Sequence, residues 1–282
     1  DQLADQTARL EDLSRQLAKY LSPQVYQSIF EGRQEVKIAS SRKKLTVFFS
    51  DIAGFTETAD RLESEELTSI LNQYLTEMSK IALKYGATID KYVGDAILIF
   101  FGDPETQGVQ QDALACVKMA IDMQERMTQL QGAWREAGIS KPLKCRMGIH
   151  TDYCTVGNFG SDDRLDYTII GRGVNTASRL ESLAAPGSIL ISFETFSQVK
   201  DQIQCIENGE VTVKGIAYPV TTYEVVGLRK DKISQPDLDV SAVSQQINRL
   251  ALDLPETISA QERDQLATSL QNALNRLNGG KS

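Results

Sequence analysis

Imidazole is almost missing from this chain, whose single histidine is His150. That excludes His-rich metal centres and most nucleophile–histidine triads. His150 closes the segment K-C-R-M-G-I-H, a strand pattern, so a structural role suits it best. Cysteine is nearly as sparse. Cys116, Cys145, Cys154 and Cys205 are scattered and form no C-x-x-C pair, which fits reduced, mostly buried thiols of a cytoplasmic protein. No apolar run approaches the length of a membrane span, and no signal peptide opens the chain. Positive charge is also short: 30 Lys and Arg stand against 38 Asp and Glu, a net charge of −8. A phosphate-backbone binder needs a basic face, so nucleic acid is not the expected partner. A small nucleotide remains open, because its charge can be met locally by metal, Lys and Arg.

With 282 residues, 41% of them hydrophobic, the chain can bury one full α/β core with helical flanks. It starts at Asp1 rather than Met, which reads as a soluble fragment of something longer. The most informative stretch is L-T-V-F-F-S-D-I-A-G-F-T (45–56), answered by I-D-K-Y-V-G-D-A-I-L-I-F (89–100). The first is a buried strand that ends in Asp51 and passes through Gly54-Phe55-Thr56 into a helix. The second is two strands joined by a Gly94-Asp95 turn, a tight-hairpin dipeptide. In one sheet, Asp51 and Asp95 converge at an edge. Two carboxylates beside the free N–H groups of a helix start suit Mg²⁺ and a polyphosphate. Either aspartate alone would more often be a turn or cap residue. The G-F-T turn and the downstream segments favour the functional reading.

Those segments are D-Y-T-I-I-G-R-G-V-N-T-A-S-R-L-E-S (166–182) and V-T-V-K-G (211–215). Asn175 and Arg179 are four apart and share a helix face. An Arg there can fork onto phosphate oxygens, and an Asn can bond a sugar oxygen. Such pairs usually end up on a solvated face, but the glycine-punctuated G-R-G-V-N approach argues otherwise. Three separated motifs in this order resemble a class III nucleotide cyclase catalytic domain, over roughly residues 42–227.

The resemblance implies an adenylate cyclase converting ATP to 3′,5′-cyclic AMP and pyrophosphate. It implies two Mg²⁺ or Mn²⁺ ions held by Asp51 and Asp95 with the carbonyl of Ile52. Gly54, Phe55, Thr56 and Lys214 would hold the polyphosphate, while Asn175 and Arg179 would orient the ribose and stabilise the transition state. The family's base-selecting pair falls on Lys91 and Thr168. Lysine donates only, which suits adenine N1, and a threonine oxygen can accept from the exocyclic amine. Guanine presents an N1–H and would want a carboxylate at position 91. Without the family, Lys91 is a solvated strand-end lysine and Thr168 an ordinary β-former. Thr168 stands where animal cyclases carry Asp, as in a threonine-type bacterial subgroup, and bicarbonate responsiveness is a weaker hint from the same subgroup. The family further implies a homodimer with two composite sites, metals from one chain and base and transition-state contacts from the other.

The expected fold is α+β, a ferredoxin-like β-α-β-β-α-β cyclase domain with a mainly antiparallel sheet. A helix carries Leu67, Ile70, Leu71, Tyr74, Leu75, Met78 and Ile81 on one stripe and stops at Gly86. Another, over roughly 110–138, holds Trp134, and a strand follows over 143–150. A hairpin through Thr151-Asp152-Tyr153 then leads to a polar loop and a strand at 166–170. Asp152 occupies a turn where the family usually has Gly. Further strands are expected at 188–192 and in a hairpin over 211–226. Residues 1–41 form a signalling helix, with Leu3, Leu10, Leu17, Leu13 and Tyr20 on a short heptad seam and Ser22-Pro23 restarting the helix. It would pass on the state of an upstream sensor domain. Residues 228–282 carry Val240, Val243, Ile247, Leu250 and Leu254, then a capping box at Ser259–Glu262 and Leu266, Leu270, Leu274 and Leu277. They form a C-terminal helical extension with no chemistry assigned.

Three rivals are weaker. A haloacid-dehalogenase-type phosphatase needs a second Asp where Ala53 stands. A diguanylate cyclase would carry a G-G-D-E-F turn where this chain reads V-G-D-A. A guanylate cyclase, or a catalytically weak regulatory nucleotide-binding dimer, is the alternative, although Asp51, Asp95, Asn175 and Arg179 are all retained.

Overall fold

A computed structural model describes residues 2–32, 37–60, 62–136, 138–139, 141–161, 163–212 and 219–229. Helix α1 (Gln2–Leu17) passes through a 3-10 turn (Ala18–Tyr20) into α2 (Pro23–Phe30). Ser22 caps α2 by accepting the Val25 N–H, and Pro23 sits in its first turn, as a Ser-Pro pair should. Val25 is buried, and Gln24 donates to the carbonyl of Ala87 at 2.7 Å. The heptad residues Leu10, Leu13 and Tyr20 are instead 67%, 47% and 88% exposed. Leu10 lines a shallow cleft with Tyr26 and Phe30 rather than a closed seam.

The body continues with β1 (Ala39–Ile52), α3 (Phe55–Ala59), α4 (Ser64–Lys84), β2 (Thr88–Val93), β3 (Ala96–Phe101), α5 (Val109–Glu136) and β4 (Cys145–Gly160). Then come β5 (Leu165–Ile170), α6 (Arg172–Leu183), β6 (Ile189–Ser192), α7 (Phe193–Val199), β7 (Ile203–Val211) and β8 (Val220–Leu228). The strands form one sheet in the order β2-β3-β1-β4-β6-β8-β7, with β5 added to β4. Its first four strands carry the expected β-α-β-β-α-β unit, and only the β4–β6 pair is parallel. The fold is α+β, mostly antiparallel.

β1 reads as an unbroken apolar run because it is covered on both faces. Phe48 and Ile52 join the larger core under α4 and α5. Leu45 and Val47 join a second cluster with Leu98, Phe100, Val156, Ile169 and Ala177. α4 buries Ile70, Tyr74, Met78 and Ala82 at a spacing of four, so its stripe faces the sheet. Gly86, at φ 78°, lets the chain turn into β2. Trp134 of α5 is buried and donates its indole N–H to Gln73 at 2.8 Å.

Two expectations fail. No hairpin interrupts β4 at Thr151-Asp152-Tyr153. β4 runs on to Gly160, and Asp152 pairs with Leu45 of β1. Asp152 has no left-handed backbone, since every described residue with positive φ is a glycine. The physical reason is that β1 begins at Ala39, well before its apolar run, and gives this polar half of β4 a partner. The short helix α7 was not anticipated either. The strand expected at 188–192 is β6. Of the hairpin at 211–226, β8 is present, while residues 213–218, and with them Lys214, lie outside the described residues. The helices proposed within 228–282 also lie outside them. No helix among the described residues is long and apolar enough to cross a membrane. Cys116, Cys145 and Cys154 are buried and Cys205 is half-buried. Burial pushes the thiol of Cys145 up to about 12 and those of Cys154 and Cys205 to about 11, which leaves them unreactive.

Candidate active site

The carboxylate corner forms where β1 ends beside the β2–β3 turn. Gly94, at φ 63°, makes that turn tight. Asp95 leaves it to accept the Ile52 N–H through Oδ2 at 2.9 Å. Asp51 lies directly across the sheet from Arg146 of β4, which donates from Nη2 to Asp51 Oδ2 at 2.6 Å. The Asp95 carboxyl is pushed up to about 7, first by burial and then by the neighbouring Asp51 carboxylate. Of the two aspartates Arg146 pairs with Asp51 alone, so Asp95 is left beside a carboxylate with only backbone donors, and hard oxygen donors suit Mg²⁺ or Mn²⁺. Asp51, Asp95 and the backbone of Ile52 therefore fit a divalent cation. No cluster of three His, Cys, Asp or Glu that could hold a metal occurs among the described residues, so backbone or ligand oxygens would have to complete a cation's shell here.

Gly54 caps α3 with φ 69°, a conformation that a side chain disfavours. α3 is only five residues long, and Phe55 and Thr56 are its first two. Their N–H groups belong to the turn that no helix can satisfy internally.

α6 presents Asn175 and Arg179 on its exposed side and buries Gly173, Thr176, Ala177, Leu180 and Glu181. It can lie this close because β4 carries Gly148 beneath it. A Cβ there would stand 2.1 Å from the Glu181 nitrogen and 2.4 Å from the Ala177 oxygen. No ion pair of Arg179 is found among the described residues. Glu181 reaches back under the helix, its Oε1 3.3 Å from Arg146 Nε. The two atoms form no aligned hydrogen bond and are buried, and burial pushes the Glu181 carboxyl upward. α6 is thus tied to the carboxylate corner through Glu181, Arg146 and Asp51.

The structure brings Lys91 and Thr168 together, although they lie on β2 and β5. The link is Asp90, whose side chain is 1% exposed. Thr168 donates its hydroxyl to Asp90 Oδ2 at 2.5 Å, and the Ile169 N–H reaches the same oxygen at 3.3 Å. Lys91 Nζ lies 3.3 Å from Oδ1. Burial pushes the Asp90 carboxyl upward, while Thr168, Lys91 and Ile169 oppose that shift. β2 slips register here, since Ile89 faces Ile99 while Lys91 faces Leu98. Asp90 is the extra residue of this bulge.

Sequence reasoning missed Arg146, Glu181 and Asp90. Arg146 has a weak signal as a charge among the buried Cys145, Met147 and Ile149. Asp90 has one as a charged residue inside I-D-K-Y. What gives each its meaning is a partner from a distant strand or helix.

The comparisons agree with this architecture. The family model for the adenylate and guanylate cyclase catalytic domain matches residues 38–227. The solved adenylyl cyclase CyaB from P. aeruginosa is 61% identical, with a TM-score of 0.67, over 69% of this chain and 99% of that one. The solved guanylyl cyclase Cya2 is 34% identical, with a TM-score of 0.65, over 70% of this chain and 98% of that one. Adenylate cyclase 1 of Rhizobium meliloti is 31% identical over 67% of this chain and 28% of its own length. The chain thus spans about a third of the curated relatives it matches. Sequence, sheet order and site geometry lead to one conclusion: the chain belongs to the adenylate and guanylate cyclase catalytic-domain family.

Proposed function

We propose that the chain is an adenylate cyclase, forming 3′,5′-cyclic AMP and pyrophosphate from ATP. The observation that carries this reading is the convergence of Asp51 and Asp95, with the Ile52 N–H between them and Arg146 alongside. The ribose 3′-oxygen attacks the α-phosphorus, the bond to the β-phosphate oxygen breaks, and the hydroxyl proton leaves to an oxygen base. Asp51, Asp95 and the Ile52 carbonyl would hold two divalent ions, which when bound lower the pKa of the 3′-hydroxyl and offset charge on the leaving pyrophosphate. Asn175 orients the ribose. Arg179 meets charge growing on the α-phosphate, an interaction stronger in the transition state than in the ground state. The N–H groups of Gly54, Phe55 and Thr56, together with Lys214, hold the polyphosphate.

Lys91 gives a donor to adenine N1, and Thr168 gives an acceptor to the exocyclic amine. This favours ATP over GTP, even though the relatives include both adenylyl and guanylyl cyclases. Asn175 and Arg179 are exposed, as are Tyr92, Val93 and Ile170 at 44%, 67% and 49%. In our reading a second copy covers this surface, and each of two symmetric sites takes its carboxylates from one chain and its Asn, Arg and base contacts from the other. The α1–α2 segment would carry the state of an upstream sensor into this dimer.

The test is chromatographic separation of products from ATP and GTP under Mg²⁺ and under Mn²⁺. Cyclic AMP as the dominant product is the expected result. Faster formation of cyclic GTP would favour a guanylate cyclase, and no turnover of either nucleotide would favour a regulatory dimer.

A further inference from the structure

We propose that Asp90 is a specificity-setting positioning residue, which holds Thr168 as a hydrogen-bond acceptor only and so makes the site reject 6-oxopurines. This rests on the reading of Lys91 and Thr168 as the base contacts.

A threonine hydroxyl is chemically ambivalent, with one donor and two acceptor positions. By itself it can accept from the 6-amino group of adenine or donate to the 6-oxo group of guanine. Lys91 disfavours an N1–H but does not fix the partner at position 6, because an ammonium can donate to a 6-oxo oxygen as well as to adenine N1. Discrimination at position 6 needs something that removes the Thr168 proton from play. Asp90 does so: the hydroxyl donates to its Oδ2 at 2.5 Å, and the oxygen is left with lone pairs alone to offer a ligand. A 6-amino group satisfies them, whereas a 6-oxo group meets acceptor with acceptor in a site where Thr168 is 8% exposed. Sites with fixed, buried hydrogen-bond polarity reject the mismatched partner strongly.

The backbone supports a built arrangement. The bulge between Ile89 and Lys91 leaves Asp90 without a ladder partner on β3, and bulges of this kind re-aim side chains beside functional sites. The Ile169 N–H also reaches Oδ2, so the carboxylate is anchored to the strand that carries Thr168. Oδ1 is buried with no aligned hydrogen bond of its own and lies 3.3 Å from Lys91 Nζ. The ammonium is thereby held near Asp90, and its three N–H groups leave donors for a base as well.

The experiment compares kcat/KM for ATP and for inosine 5′-triphosphate, which differs from ATP only at the 6-position and N1. Taken within one preparation, the ratio cancels any loss of folded protein. Asp90→Ala should narrow it by about tenfold or more, because no acceptor remains and the Thr168 hydroxyl regains its freedom to donate. Asp90→Val serves as a second variant should the smaller residue disturb folding. Thr168→Ser should keep the native ratio and Thr168→Val should narrow it. Adding Asp90→Ala to Thr168→Val should narrow it no further. If Thr168→Val narrows the ratio while Asp90→Ala lowers both substrates alike, the inference is wrong and the base reading stands. Equal narrowing by Asp90→Ala with and without Thr168→Val would also overturn it, since Asp90 would not be acting through Thr168. A ratio unmoved by Thr168→Val would remove the base reading and the inference together.

Discussion

Asp90 and Asp95 sit on the same hairpin, and burial pushes both carboxyls upward. Their surroundings then diverge. Asp90 is met by a hydroxyl, an ammonium and a backbone N–H, all of which favour its charge. Asp95 is met by a second carboxylate, and only the backbone N–H groups of Ile52 and of Asp95 itself work the other way. The first acid is surrounded by groups that favour its charge, so it serves by fixing its neighbours. The second is left in electrostatic conflict, which a bound cation would relieve. Folded proteins tolerate such conflict chiefly at working sites. A raised carboxyl alone therefore does not separate the two roles; the sign of the groups around it does.

The strongest way to break this contrast is to remove the conflict. Asp51→Ala or Asp95→Ala should lower cyclic AMP formation at saturating Mg²⁺ by at least about a thousandfold. The thermal midpoint should hold, because deleting one carboxylate relieves repulsion as it removes contacts. Near-normal turnover by Asp95→Ala would show that the pair holds no metal. The proposed composite sites add a sharper form. Asp51→Ala and Arg179→Ala, each inactive alone, should complement on mixing, since a heterodimer gathers both lesions into one site. With free exchange about half the dimers are mixed and each has one good site, so the mixture should recover roughly a quarter of wild-type activity. Doubly tagged heterodimers that stay at background would place the whole site within one chain.

A smaller break acts through packing. Gly148→Ala puts a Cβ 2.1 Å from the backbone nitrogen of Glu181, an overlap that neither strand nor helix can absorb without moving. Overpacking of this kind costs about 1–3 kcal/mol. The shift also displaces Asn175 and Arg179, and a displacement of about 1 Å can cost about a hundredfold in rate. Denaturant unfolding and turnover measured on one preparation check both. A variant that loses stability but keeps its kcat would mean that α6 need not sit where it does.

How far the sequence discloses the site follows the same division. Asp51, the Gly94-Asp95 turn and the α4 stripe are legible because each rests on local rules: strand composition, turn chemistry and helical period. That Asn175 and Arg179 share a helix face follows from their spacing, while their exposure comes from how α6 packs. Arg146, Glu181 and Asp90 were not legible. Arg146 acquires its role from standing opposite Asp51 across β1 and β4, and Asp90 from a strand that returns 78 residues later. Asp152 misled for a related reason. Its polar surroundings imitate a turn, and only the length of β1 makes them a strand.

The smallest effect concerns Asp152 and the base of α6. His150, buried with Nδ1 2.8 Å from Ser192 Oγ, has Nε2 3.7 Å from Asp152 Oδ2. Arg172, in the first turn of α6, lies 3.6 Å from the same oxygen. The His150 ring first, then the Tyr153 N–H and Arg172, hold the Asp152 carboxyl down at about 2. A carboxyl held below its unfolded value adds stability above the unfolded pKa, and that stability is lost as pH falls through the folded one. The window here runs from about 4 down to about 2. The group is partly exposed, so solvent screening limits the contribution to about 1 kcal/mol. Asp152→Asn should flatten the fall in urea midpoint between about pH 5 and pH 3 and leave the ATP/ITP ratio untouched. An unchanged acid slope would mean that Asp152 is held by its strand alone. A changed ratio would mean that base preference is set through the His150 cluster as well as through Asp90 and Thr168.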